Sequence, residues 1–87
     1  MSITQKLDKG QIAARLARVA SEILKVPVDA SELKADLAQD YGADSMDFVD
    51  ITNRVEREFN TTIDTEDVLA FKTFGQFVDY IARRIAF

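Results

Sequence analysis

The chain has 87 residues, 47% of them hydrophobic and 30% charged, which suits one small folded domain with a modest core rather than a disordered segment. It has no cysteine and no histidine, which removes disulfides, thiolate or zinc sites, and Ser-His or Cys-His catalysis. No catalytic residue and no metal ligand is therefore expected. The net charge of −4 is unevenly placed. Residues 1–28 carry five basic and two acidic side chains, residues 29–67 three basic and twelve acidic, and residues 68–87 three basic and one acidic. The acidic middle argues against a nucleic-acid partner and for a basic protein surface reached by electrostatic steering. No apolar run approaches the ~20 residues of a membrane span, and the first residues have no signal-peptide core. A cytoplasmic protein is the expectation.

The pattern predicts an all-α chain. Asp8 and Gln11 have capping-box spacing for a first helix, although Thr4 offers an earlier start. Ile12, Leu16, Val19, Ala20 and Ile23 form its apolar stripe, and Pro27 stops it at Lys25 or Val26. Residues 26–44 read as a long connection. Val26 and Val28 are expected to tuck under the core, and the spacing of Leu33, Leu37 and Tyr41 allows a helical turn or two. Gly42 supplies the positive φ of a sharp turn. A second helix runs from Asp44 or Ser45 to about Phe59, with Phe48, Ile51, Val55 and Phe59 inward. Asp47, Asp50, Arg54, Arg57 and Glu58 are expected to face away.

After the polar turn Asn60-Thr61-Thr62, residues 65–70 read as a short helix with Thr65 as its cap. Thr73 and Gln76 form a capping box for the last helix, whose stripe is Phe74, Phe77, Val78, Ile81 and Ile85. Gly75 inside it is a cost of ~1 kcal/mol against alanine. No stretch alternates as a strand would. The predicted architecture is a single domain over 1–87, with residues 1–8 a short lead-in. It is a small four-helix bundle: three main helices, a short third one, and a long loop between the first two.

One stretch carries candidate chemistry. Gly42-Ala43-Asp44-Ser45-Met46-Asp47 brings a serine hydroxyl to a helix N-terminus, where backbone N–H groups and the dipole favour a phosphate. Taken alone, the Asp-Ser pair is also an ordinary helix cap. The stretch resembles the attachment motif of acyl carrier proteins, commonly Gly-x-Asp-Ser-Leu/Met. Glu56-Arg57-Glu58-Phe59, Ile63-Asp64-Thr65-Glu66-Asp67 and Val78-Asp79-Tyr80-Ile81 are similar to the family's later landmarks, so the likeness covers roughly residues 10–85.

The resemblance implies that Ser45 receives 4′-phosphopantetheine from coenzyme A through a phosphopantetheinyl transferase, with Asp44 as its motif partner, used around the transferase's magnesium. It implies a monomeric, non-catalytic carrier that bears acyl groups as thioesters and serves acyl-transferring, condensing or modifying enzymes with basic patches. Met46, Asp47, Val49, Asp50 and Glu56 would form the docking face. Ile51, Val55, Phe59, Ile63, Leu69 and Phe77 would line a space for an acyl chain; a plain packed core is expected of the unacylated protein. The sequence departs from the family at Thr52-Asn53-Arg54, at Asp64 where proline is usual, and in the arginines that dilute the acidic face. Fatty-acid, specialised-lipid and polyketide pathways stay open. So do an aminoacyl or peptidyl carrier and, more distantly, a non-carrier adaptor that binds a basic protein.

Overall fold

Asp8 begins the first helix as its spacing predicts. In the computed structural model, which describes residues 7–85, the Asp8 carboxylate accepts the Gln11 amide at 2.8 Å and the Gln11 side chain accepts the Asp8 amide at 3.0 Å. The helix α1 spans Lys9–Leu24 and buries Ile12, Leu16, Val19 and Ala20. Thr4, the alternative start, lies outside the described residues. Lys25 closes α1 at φ 61°. One expectation for the following turn fails. Ser21 Oγ donates to the Ala17 carbonyl and accepts the Val28 amide at 2.9 Å, which draws Val28 into the core. Val26 is left on the outside of the turn, 39% exposed.

The long connection contains a helix of its own. Asp36 caps α2 (Leu37–Tyr41) by accepting the Ala38 and Gln39 amides, and Gly42 ends it at φ 75°. Of the expected spacing, Leu37 is buried, Tyr41 is half-buried and Leu33 is exposed. Among the described residues the bundle therefore has five helices, with α2 added to the four expected. Before α2, the Asp29 carboxylate accepts both the amide and the hydroxyl of Ser31, and these bonds hold it below its ordinary value of 3.8.

The helix α3 spans Ser45–Phe59 and ends at Asn60 with φ 52°. Phe48, Ile51 and Val55 are buried as expected, and Phe59 is half-buried. Thr52, a polar residue in this stripe, is also buried, and its hydroxyl is satisfied by the Phe48 carbonyl at 2.7 Å. The short α4 spans Thr65–Leu69. Its cap is Asp64, whose carboxylate accepts the Glu66 amide at 3.0 Å, rather than Thr65. Both residue types are good caps; the chain turns into the helix one residue earlier than expected.

The last helix, α5 (Phe74–Ile85), has the predicted Thr73/Gln76 box, with both bonds near 3 Å. Phe74, Phe77, Val78 and Ile81 are buried. Tyr80 joins them, and its hydroxyl links Asp67 of α4 to Arg84 of α5. Gly75 is more than a tolerated cost. Its amide donates to the Leu33 carbonyl at 2.8 Å, and a Cβ there would lie 2.8 Å from that same oxygen. The first loop thus lies against the start of α5, and the carbonyls of Leu33 and Ala35 satisfy the Gly75 and Phe74 amides, which a helix's first turn leaves unpaired. Among the described residues the only extended pairing is an isolated bridge between Asp36 and Thr73. No helix among them is long and apolar enough to cross a membrane.

Candidate functional site

Each residue of the Gly42–Ser45 stretch has a separate local task. Gly42 adopts the left-handed conformation that ends α2, with its amide directed back to the α2 carbonyls. Ala43 is buried, and its amide donates to the Leu37 carbonyl at 3.0 Å, which pins the start of α3 to the core. Asp44 caps α3: its carboxylate accepts the Asp47 amide at 2.9 Å, and the Asp47 carboxylate accepts the Asp44 amide at 3.1 Å. Ser45 follows as the first helical residue and is exposed. Among the described residues no hydrogen bond engages its hydroxyl. The Ser45 and Met46 amides, two donors of the first turn, likewise find no acceptor there. A hydroxyl and two open N–H groups thus meet at the positive end of a 15-residue helix.

The expected docking residues divide into two kinds. Met46 is 67% exposed and Asp50 is exposed, so both stand free on α3. Val49 is half-buried at the edge of the stripe. Asp47 is half-buried and tied into the cap, and Glu56 accepts the Ile63 amide at 2.8 Å, which anchors the turn into α4.

Two side chains expected to face away instead face α1. Arg54 bonds Glu22, while Glu58 accepts Arg18 at 2.7 Å with Arg15 at 3.9 Å. Both lie on the α1 side of α3, where apolar packing brings these charged edges together.

Of the residues named for an acyl space, Ile51, Val55, Ile63 and Phe77 are packed in the core. Phe59 faces a surface cleft of about 380 Å³ beside Leu7 and Ile85. That places it fourteen residues along α3 from Ser45, roughly 21 Å away at 1.5 Å per residue. Leu69 stands on the surface of α4, 49% exposed, and does not join the buried set. Sequence reasoning missed the Gly75–Leu33 contact and the Tyr80 hub. The first had a visible signal, a glycine just after the Thr73 cap in the first turn of a strongly amphipathic helix. The second had none, because Tyr80 reads as the edge of the stripe.

A family model described as the phosphopantetheine attachment site matches residues 14–81. The chain is 39% identical over 72 residues to an acyl carrier protein of Azobacteroides pseudotrichonymphae, covering 82% of this chain and 85% of that one. It is 35% identical over 80 residues to an acyl carrier protein of Thermotoga maritima, covering 90% and 96% of the two chains. A third such protein, from Amoebophilus asiaticus, is 35% identical over 68 residues, covering 78% and 84%. With a helical bundle and a matched attachment domain over most of its length, the chain belongs to the acyl carrier protein family, whose members are non-catalytic carriers bearing 4′-phosphopantetheine.

Proposed function

We propose that Ser45 is the attachment residue, and that the protein shuttles acyl groups between biosynthetic enzymes of a fatty-acid, specialised-lipid or polyketide pathway. The observation that carries this reading is the exposed Ser45 hydroxyl at the first position of α3, beside the Asp44 cap. The residues present fit a phosphodiester. The open Ser45 and Met46 amides can receive its oxygens, and the helix dipole favours its charge. When bound, the arm supplies the thiol that this cysteine-free chain lacks, and acyl groups ride on it as thioesters.

In the attachment step the Ser45 oxygen forms the new bond to phosphorus. A phosphorus–oxygen bond of coenzyme A's diphosphate breaks, the nucleotide portion departs, and the serine proton is released. Asp44 holds the helix start in place through one carboxylate oxygen; the other would be open to a phosphopantetheinyl transferase and could take part around that enzyme's metal. Gly42 and the buried Ala43 keep the hydroxyl proud of the bundle. The relatives' names favour an acyl over an aminoacyl cargo. A cytoplasmic location goes with this reading. The test is incubation with coenzyme A and a broad-specificity phosphopantetheinyl transferase, read by intact mass. One phosphopantetheinyl group is expected on the wild type and none on Ser45→Ala. An equal adduct on both proteins would move the site elsewhere.

A further inference from the structure

The charges along α3 are mostly committed within the molecule. Asp47 closes the cap, Arg54 bonds Glu22, Glu56 holds the Ile63 amide, and Glu58 takes Arg18. Two charged side chains remain, Asp50 and Arg57. Both are exposed, and neither makes an ion pair or a side-chain hydrogen bond among the described residues. Nothing on the helix itself can pair Arg57. Its neighbours three and four positions away are Asn53, Arg54, Asn60 and Thr61, none of them acidic. Asp50 and Arg57 are seven residues apart, which is two turns. They therefore share a face, about 10 Å apart along the axis. Met46 and Asn53 occupy the same strip, so the surface leading away from Ser45 runs apolar, acidic, amide, basic.

We propose that partner enzymes read α3 as a two-charge strip, placing a cation opposite Asp50 and a carboxylate opposite Arg57, about 10 Å farther from Ser45. The inference rests on the carrier reading of Ser45. A uniformly basic partner patch would meet Arg57 with like charge, and like-charge juxtaposition excludes partners more strongly than single complementary pairs attract them. The strip thus selects enzymes whose docking patch changes sign along its length. Asp47 and Glu56, engaged inside the molecule, contribute little to this choice.

The test uses phosphopantetheine-loaded protein and each purified acyl-transferring enzyme of the source cell, with acyl-coenzyme A as donor and free coenzyme A as the leaving product. The readout is kcat/KM for thioester formation on the wild type, Arg57→Glu, Arg57→Gln and Asp50→Lys. Because Arg57 lies in the last turn of α3, where a cation also suits the dipole, the melting temperature of each variant is measured alongside. For the enzymes that load the wild type fastest, Arg57→Glu is expected to lose roughly tenfold, Arg57→Gln less, and Asp50→Lys about as much as Arg57→Glu. Changing the enzyme's facing carboxylate to lysine is expected to restore the Arg57→Glu protein. Loading of Arg57→Glu at or above the wild-type rate by those enzymes overturns the proposal while leaving Ser45 as carrier. Failure of Ser45 to accept the arm at all overturns both.

Discussion

The Asp44 carboxylate accepts the Asp47 amide at 2.9 Å, one residue before Ser45 in the chain. Its capping role and its proposed role in arm attachment can be separated, because asparagine caps helices about as well as aspartate. Asp44→Asn is expected to keep stability within about 0.5 kcal/mol, and Asp44→Ala to lose about 1 kcal/mol. Transferase-catalysed attachment is expected to fall on the order of tenfold in both, because each lacks the carboxylate proposed to act around the transferase's metal. Urea unfolding and a timed mass assay read the two effects. Unchanged attachment in Asp44→Asn would reduce Asp44 to a cap. The helix start at Asp44 and Ser45 was legible in the sequence because caps are local, but Asp47, read as facing away, proves to close the capping box instead. Arg54 and Glu58 were not, because which edge of α3 they occupy matters only once α1 is laid beside it. Asp64 and Thr65 were ambiguous because both are good caps standing side by side.

Element by element, the long first loop is where sequence and structure agree in part. It carries α2, the helical turn that its spacing allowed, capped by Asp36 and ended by Gly42, while its carbonyls cap α5. Leu37 and Tyr41 showed a helical turn in the sequence, but the docking of Leu33 on Gly75 is a contact between positions 42 residues apart and leaves no periodic trace. Two effects oppose each other at Gly75. Alanine would gain at most about 1 kcal/mol of helix propensity, the helix-interior value, because Gly75 is in the first turn. Its Cβ would also meet backbone oxygen at 2.8 Å, which forces the loop to shift. Strain of this kind costs about 1–3 kcal/mol. Gly75→Ala is therefore expected to destabilise the protein, with a lower urea midpoint at unchanged slope. A raised midpoint would mean that the loop yields without cost. The three long helices were legible because their apolar stripes are long and regular, from Ile12 to Ile23, Phe48 to Phe59 and Phe74 to Ile85.

For the whole molecule, charge placement governs behaviour more than net charge does. The carboxylates of Asp29, Asp36, Asp40, Asp44 and Asp47 each accept a backbone amide, so five acids are fixed in place within the nineteen residues 29–47. Among the described residues four ion pairs act elsewhere at the surface: Lys9–Asp79, Arg15–Glu58, Arg18–Glu58 and Arg54–Glu22, with Glu58 half-buried. Such pairs contribute about 0–1 kcal/mol each and weaken with salt. Repulsion among the more numerous acids outweighs them, so the melting temperature is expected to rise with added salt. A fall would show that the α1–α3 pairs dominate. The central claim, that Ser45 bears the arm and its cargo, has a direct test in protein isolated from its own cell. Trypsin releases residues 35–54 as one peptide in which Ser45 is the sole serine. Fragmentation mass spectrometry of that peptide is expected to place phosphopantetheine on Ser45, with a fraction carrying an acyl thioester. A peptide found wholly unmodified, or modified at another residue, would contradict it.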